Sequence, residues 1–311
     1  MLRRLALASL VANVALVVTG GAVRLTRSGL GCPTWPKCTD ASYTTTPAMG
    51  VNGAIEFGNR VLSVVLGLIV VACVLAAVRE RPRRRPTLVL SVAVLLGIPA
   101  QGVVGGITVL TGLNPWVVGL HFLLSIALIT GAYALWRRTT EGDAKPVALV
   151  PRPVRQLAAL VAAAAAAVIM LGVVVTGSGP HAGDQHARRT GLDPAVIAQA
   201  HADMVFLLIG LTAALALTLR ATDAPRNAVR AAVALLVVEL AQGLIGFVQY
   251  FTGLPVALVA AHMLGAACLW VGVLAVLWSL RRRPARRETP AEVPARSTPA
   301  GQRVAGLRGG R

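Results

Sequence analysis

The sequence predicts an all-α integral membrane protein with eight transmembrane helices, arranged as two parallel-repeat four-helix bundles. Three observations support this fold class: the length of the apolar stretches, the placement of the basic residues between them, and an internal repeat. The chain has 311 residues, of which 56% are hydrophobic and only 14% are charged, with a mean hydropathy of +0.71. A water-soluble domain carries about 25% charged residues. Composition therefore excludes an ordinary soluble protein.

Eight apolar stretches are each long enough to cross a bilayer, which takes about 20 residues of helix. The first of them has no clear small-residue cleavage site and continues through Gly20, Gly21 and Ala22 into a basic loop. We therefore interpret it as a retained helix rather than a secretory signal. The eight predicted spans are 5–23, 53–78, 87–110, 115–136, 156–176, 194–219, 228–250 and 255–280.

The basic residues follow a strong positive-inside pattern. With the N-terminus inside, the cytoplasmic segments hold 24 of the 30 Lys and Arg residues, the external connections hold five, and Arg60 lies within a helix. The pattern predicts a multi-pass protein of a bacterial plasma membrane with both termini in the cytoplasm. The net charge of +18 therefore reflects topology and contact with membrane lipid, and no nucleic-acid partner is expected. The Arg- and Pro-rich tail, 281–311, is predicted to be disordered and cytoplasmic.

Polar landmarks recur at a constant offset, which indicates a duplicated four-helix unit. Gln101-Gly102 recurs as Gln242-Gly243, and His121 recurs as His262, each with an offset of 141 residues. An even number of helices per unit gives both halves the same orientation, so the repeats are parallel rather than inverted. The predicted organisation has four parts: an N-terminal bundle (1–140), a cytoplasmic linker (141–155), a C-terminal bundle (156–280) and the tail (281–311).

Three histidines and an asparagine occupy one layer in the outer half of the membrane. His121, His201 and His262 each lie six or seven residues after a proline that starts an apolar stretch, and Asn59 lies six residues after Gly53. At 1.5 Å per residue, this depth is about 9–11 Å below the external boundary. An imidazole within a membrane is costly and indicates a functional site. A haem iron between facing helices is the favoured partner, with His201 opposite His262 and His121 opposite Asn59. Zinc or copper would need further Cys, His or carboxylate ligands.

Glu56 is the acid that the sequence places inside the first bundle. It precedes Asn59 by three residues and so shares a helical face with it. Two interpretations remain open: a proton acceptor beside a reacting haem, or an ion-pair partner of Arg60.

The first external loop contains Cys32 and Cys38, which are expected to form a disulfide on the oxidising side of the membrane. The bond could be a structural staple or a redox-active pair. Four external arginines are candidates for haem propionate contacts, or else are ordinary solvated charges. They are Arg24, Arg27, Arg188 and Arg189.

The combination of these motifs resembles the haem A synthase family over roughly residues 5–280. The motifs are Gly31-Cys32-Pro33-x-Trp35-Pro36-x-Cys38, Ile55-Glu56-Phe57-Gly58-Asn59-Arg60, Gln101-Gly102 with His121, the loop from Thr176 to Asp184, His201, and Gln242-Gly243 with His262. Many members of the family have a second histidine where this chain has Asn59. Here His121 is therefore the only imidazole of the first half.

The resemblance implies an enzyme that oxidises a methyl group of haem O to a formyl group by successive hydroxylations, giving haem A for terminal oxidases. It also implies haem b as cofactor on His201 and His262, haem O as substrate near His121 and Asn59, and an important acid at Glu56. The expected partners are haem O synthase and a quinone or another electron acceptor. Two other functions remain open: a dihaem b-type electron carrier linked to quinone, and a parallel-repeat transporter.

Overall fold

The computed structural model describes residues 1–284, so most of the predicted disordered tail lies outside the described residues. Within that range the chain forms eight helices that are long and apolar enough to cross a membrane. They are α1 (Leu2–Leu25), α2 (Gly50–Arg79), α3 (Arg85–Leu110), α4 (Pro115–Arg138), α5 (Arg152–Ser178), α6 (Pro194–Ala221), α7 (Arg226–Phe251) and α8 (Val256–Ser279). The predicted eight transmembrane helices are confirmed, and the predicted bounds differ from these by at most four residues at either end.

The external helix starts are fixed by local chemistry. Pro115 and Pro194 occupy the first helical turn of α4 and α6, where a missing backbone N–H costs nothing. The preceding residues, Asn114 and Asp193, accept hydrogen bonds from the next free amides. These caps place the histidines that follow at equal depth in the two helices.

The helices of each half contact one another in cyclic order. Helix α1 touches α2 and α4, α3 touches α2 and α4, and the same ring recurs for α5 to α8. The halves meet where α1 and α4 pack against α8, and α4 also packs against α5. At this junction the Trp270 indole donates a 2.7 Å hydrogen bond to Thr130. The parallel-repeat relation between the halves and the domain boundaries remain predictions.

The second half contains a buried acid, as the first half does at Glu56. Glu239 on α7 is only 1% exposed and accepts a hydrogen bond from Thr212 on α6 at 2.9 Å. We did not predict this acid within the second half. One further correction concerns the two free cysteines, which the sequence places in the core: Cys73 is buried, whereas Cys268 is exposed.

The connection between α4 and α5, which joins the two halves, carries a short two-stranded pairing. Strand β1 (Val147–Ala148) pairs antiparallel with β2 (Arg281–Arg282). The first residues of the predicted tail therefore continue from α8 into contact with the linker. Arg138 and Arg84 hold the same linker through ion pairs to Asp143.

Candidate functional site

In the second half, the structure brings His201 and His262 close together in an edge-to-face arrangement, with an interplanar angle of 74°. The two ring centroids are 6.4 Å apart. A ring nitrogen lies about 2 Å from a metal ion that it binds, so imidazoles on opposite sides of one metal have centroids roughly 6 Å apart. The spacing of the pair therefore suits a single six-coordinate iron between α6 and α8.

Each of the three membrane histidines rests against a glycine of a neighbouring helix. A Cβ atom on Gly105, Gly172 or Gly246 would lie 3.2, 3.2 or 3.5 Å from Cε1 of His121, His201 or His262, respectively. An added Cβ atom would crowd the ring at Gly105 and Gly172, whereas at Gly246 it would make ordinary van der Waals contact. The glycine of α5 was not predicted, although it lies one turn before the Thr176-Gly177 pair that marks the repeat.

The surroundings of these rings fit a flat cofactor. Nδ1 of all three membrane histidines is buried and has no hydrogen-bond partner among residues 1–284. Buried polar atoms without partners are uncommon and costly. The repeated glycines Gly102 and Gly243 have open space where a side chain would stand. Unsatisfied imidazoles beside open glycine surfaces are what a haem macrocycle with axial histidines requires.

The first half differs because the side chain of Asn59 is hydrogen-bonded to another helix. Its Oδ1 accepts a 2.8 Å hydrogen bond from the Thr19 hydroxyl on α1. His121 lies on α4 against α3, and its backbone carbonyl accepts a hydrogen bond from Gln101. The first half therefore offers one imidazole and a tethered amide, which agrees with an asymmetric site.

Glu56 belongs to the external loop as much as to the bundle. One carboxylate oxygen accepts a 2.7 Å hydrogen bond from the Cys32 amide, and the other forms a 2.6 Å ion pair with Arg60. The ion pair with Arg60, one of the two interpretations left open by the sequence, is therefore present. Glu56 is 6% exposed, and its carboxyl group lies between the loop and the bundle interior.

The first external loop is tied down at several points. Cys32 and Cys38 are disulfide-bonded, as predicted. Arg60 donates hydrogen bonds to the carbonyls of Cys32, Thr34 and Lys37. A Cβ atom on Gly106 of α3 would overlap the indole of Trp35, which is how closely that ring packs on the helix. The loop thus covers the outer end of the seam between α2 and α3.

Of the four predicted propionate arginines, two are engaged with backbone. Arg24 donates to the carbonyls of Thr176 and His181 and so ties α1 to the connection between α5 and α6. Arg189 donates to the carbonyls of Ala187 and Pro180. The side chains of Arg27 and Arg188 are exposed at the external surface. Contact with haem propionates stays a prediction for all four arginines. Arg24 and Arg189 also have a structural role, since each holds backbone carbonyls.

Comparison with known proteins gives a consistent family. The COX15-CtaA family model, described as cytochrome oxidase assembly protein, matches residues 3–183, which is more than half of the chain. A protein of Halalkalibacterium halodurans named heme A synthase is 32% identical over 139 residues, which cover 44% of this chain and 46% of that protein. A protein of Symbiobacterium thermophilum with the same name is 31% identical over 159 residues, 47% of this chain and 51% of that protein.

A third relative has a different name. Part of a Haloquadratum walsbyi protein named protoheme IX farnesyltransferase is 29% identical over 131 residues, which cover 41% of this chain and 26% of that protein. The chain spans about half the length of the heme A synthases that it matches. Since the family model covers more than half of this chain, the protein belongs to the COX15-CtaA family of cytochrome oxidase assembly proteins.

Proposed function

We propose that this protein is a haem A synthase, a membrane oxidoreductase that converts a methyl group of haem O to a formyl group by successive hydroxylations. The observation that carries the proposal is the asymmetric pair of sites in one layer. The second half has two imidazoles whose ring centroids are 6.4 Å apart, whereas the first half has His121, a tethered Asn59 and the nearby acid Glu56. Two such imidazoles suit a fixed electron-transfer haem, and a single one leaves an iron position open for a haem that reacts and leaves.

In this proposal haem b is the cofactor, held by His201 and His262. A haem iron supplies one-electron chemistry to the protein. Three glycines shape the surroundings of this group. Gly172 lies against the His201 ring and Gly246 against the His262 ring, and Gly243 leaves room for a flat group beside α7.

The substrate haem O is assigned to the first half, beside His121. Gly105 lies against the His121 ring, and the open surface at Gly102 lies one turn away on α3. Glu56 would accept a proton released during methyl oxidation. Its contacts with the Cys32 amide and Arg60 place it at the external end of the bundle, from which a proton can leave to the outer side.

The proposed partners follow from the substrate and the fold. Haem O synthase would supply the farnesylated haem, and the partial similarity to a protein named protoheme IX farnesyltransferase supports this link. A quinone or another electron acceptor would exchange electrons with the second half, and membrane lipid surrounds the apolar helices. The positive-inside pattern supports a bacterial plasma membrane with both termini in the cytoplasm.

Haem analysis of the purified protein tests this function. The full chain is expressed with and without a haem O synthase, and the haems are extracted and separated by chromatography. We expect haem b in both preparations, and haem O together with haem A only when the synthase is present. Haem b alone in both would indicate a dihaem electron carrier, and the absence of any haem would indicate a transporter.

A further inference from the structure

The outward seam between α6 and α7 is an uncovered surface with an unusual composition. Four of the 13 aromatic residues of the protein lie there in a continuous row, with centroids of neighbouring rings 5.3–6.4 Å apart. All four residues are at least half exposed. They are Phe206 on α6 and Phe247, Tyr250 and Phe251 on α7.

The same seam also carries two polar side chains. The Gln199 amide donates a 2.7 Å hydrogen bond to Asp203, and both residues are exposed. Asp203 follows His201 by two residues, which is about 200° around the helix, so it lies on the opposite side of α6 from the imidazole. An acid on a lipid-facing surface is costly and needs a partner.

The internal repeat shows what covers the corresponding surface in the first half. Gly106 and Val109 on α3 correspond to Phe247 and Tyr250 at the offset of 141 residues. Gly106 is buried under the indole of Trp35 and Val109 is buried as well, whereas their α7 counterparts are exposed. The indole of Trp35 is therefore the group that occupies this seam in the first half.

The second half does not have the side chains that anchor such a loop. Glu56 and Arg60, which anchor the first loop, correspond to Ala198 and Ala202 at the offset of 142 residues. In their place the α6 surface has gained hydrogen-bonding groups, since Phe57 and Val61 correspond to Gln199 and Asp203. A planar ring supplied from outside the chain would fill the place that Trp35 fills in the first half.

We propose that the α6–α7 seam binds the headgroup of a lipid-soluble quinol. The ring lies against Phe206 and Phe247, one quinol hydroxyl donates a hydrogen bond to the Asp203 carboxylate, and the second N–H of the Gln199 amide donates to the same headgroup. The isoprenoid tail stays in the lipid along the exposed apolar faces of both helices. The site lies across one helix, about 10 Å in diameter, from the imidazole of His201.

Other occupants match the surface less well. A lipid acyl chain offers no donor to Asp203. A second copy of this chain packed through the same seam would bring two carboxylates together, because among the described residues of the seam there is no cation to pair with them. A quinol supplies both the flat ring and the donor.

Photolabelling in nanodiscs tests the proposal on the full-length protein. The probe is an azido-substituted ubiquinol with a short alkyl tail, kept reduced during illumination, and the labelled peptides are mapped by mass spectrometry. We expect label on α6 and α7 around Phe206 and Phe247, with displacement by decylubiquinol. In Asp203→Ala the decylubiquinol concentration needed for displacement should rise about tenfold, the effect of losing one hydrogen bond to a charged group.

The matched control is Val61→Ala, which changes the corresponding position of the first half and should leave labelling unchanged. Label that is spread over both halves, that decylubiquinol fails to displace, or that is insensitive to Asp203→Ala overturns the proposal. Intermolecular cross-links between two α6 helices would show a dimer interface and overturn it as well.

The quinol is the reduced form that the proposed quinone acceptor takes once it has accepted two electrons and two protons, and the site rests on the proposed function for this role. Its failure is nevertheless distinguishable from failure of that function, because haem extraction is run on the same preparations. Normal haem A with no specific label rejects the quinol site alone, and specific label without haem O or haem A rejects haem A synthesis alone.

Discussion

Each of the three membrane imidazoles lies against a glycine of a neighbouring helix. Gly172 and Gly246 each allow close approach of a histidine ring, and Nδ1 of both His201 and His262 has no hydrogen-bond partner within the described part of the chain. The rings thus pack against glycines while these polar atoms stay free for a ligand. This arrangement gives the first residue-level prediction.

Replacing either histidine of the pair should abolish the low-spin haem b spectrum. In the proposed haem b site, His201→Ala and His262→Ala would each remove one of the two axial ligands of the iron. The measurement is the reduced-minus-oxidised absorption spectrum, with electron paramagnetic resonance of the oxidised protein. His186→Ala, in the external connection, is the matched control and should keep the full signal. A complete bis-histidine signal in either mutant would refute the ligand assignment.

Glu56 supports a second prediction at this scale. Glu56→Gln keeps the size and much of the hydrogen bonding to the Cys32 amide but removes the proton-accepting charge. If the carboxylate handles protons, the mutant should retain haem b and accumulate haem O or a hydroxylated intermediate. The measurement is chromatography of haems extracted from membranes with equal amounts of protein.

Arg60 provides the control for Glu56. Arg60→Gln removes the ion pair and the bonds to the loop carbonyls while leaving the acid in place. If Glu56 only balances Arg60, both mutants should show the same loss of folded protein and haem b, with little intermediate. Normal haem A production by Glu56→Gln would eliminate the proton-acceptor role.

At the scale of the element, the first external loop and the seam it covers act as one unit. The loop is closed by the Cys32–Cys38 disulfide and anchored on α2 by Arg60, and it inserts Trp35 against α3 at Gly106. The glycine is required because any side chain there would overlap the indole. The loop therefore depends on a position 71 residues away in the sequence.

Gly106→Ala should displace this loop. Overpacking of this kind costs about 1–3 kcal/mol. We expect a lower thermal unfolding midpoint in detergent and faster proteolysis of the first external loop. Gly67→Ala on α2 is the control, since its added methyl group meets open space and should leave the midpoint unchanged or slightly higher. A Gly106→Ala protein as stable and protease-resistant as the wild type would show that the indole does not pack here.

The disulfide is either a structural staple or a redox-active pair, and the Cys32→Ser variant distinguishes these two roles. Mass mapping under non-reducing conditions should find Cys32 linked to Cys38. If the bond is a staple, Cys32→Ser should lower the thermal midpoint but make haem A at the normal rate per folded molecule. If the pair is redox-active, the rate should fall even when the amount of folded protein is matched. Finding both thiols free in the wild type would contradict the bond.

The elements that could be predicted from sequence are those with a repeating physical cause. The eight helices follow from apolar stretches of bilayer length, and the histidine layer follows from a constant offset after prolines that start helices. Asp203 and Glu239 were not predicted as part of the site, because neither has a polar counterpart in the first half. The packing of Trp35 on Gly106 could not be predicted either, since it depends on how a loop folds back over a helix.

At the scale of the whole molecule, the two halves are joined at both membrane surfaces. On the outer side Arg24 donates a hydrogen bond to the carbonyl of His181, which lies between α5 and α6. The His181 ring is in turn hydrogen-bonded to the carbonyl of Leu254, which lies between α7 and α8. On the inner side Asp143 ties the linker to Arg84 and Arg138 of the first half, and β1 ties the linker to β2 at the end of α8. These two sets of contacts, the outer clamp and the inner clamp, enclose the layer of membrane histidines.

The inner clamp gives a prediction of pH dependence. The hydrogen bond from Arg84 lowers the pKa of Asp143 below its ordinary value of 3.8. A carboxyl whose pKa is lower in the folded state than in the unfolded state contributes stability above the unfolded value, and that contribution is lost as pH falls through the folded value. The ion pair should therefore stabilise the protein at neutral pH, and its contribution should decline as the pH falls below about 4.

Asp143→Asn isolates this contribution from those of the other carboxyl groups. Because the Asp143 side chain is 37% exposed, the loss at pH 7 should be under about 1 kcal/mol, as for other solvent-accessible ion pairs. The measurement is the thermal unfolding midpoint in detergent from pH 7 down to pH 3. The midpoints of wild type and Asp143→Asn should differ at pH 7 and converge as the pH approaches 3, and added salt should shrink the difference at pH 7. A difference that persists unchanged at pH 3 would mean that Asp143 acts through shape rather than charge, and the clamp would then lose its electrostatic basis.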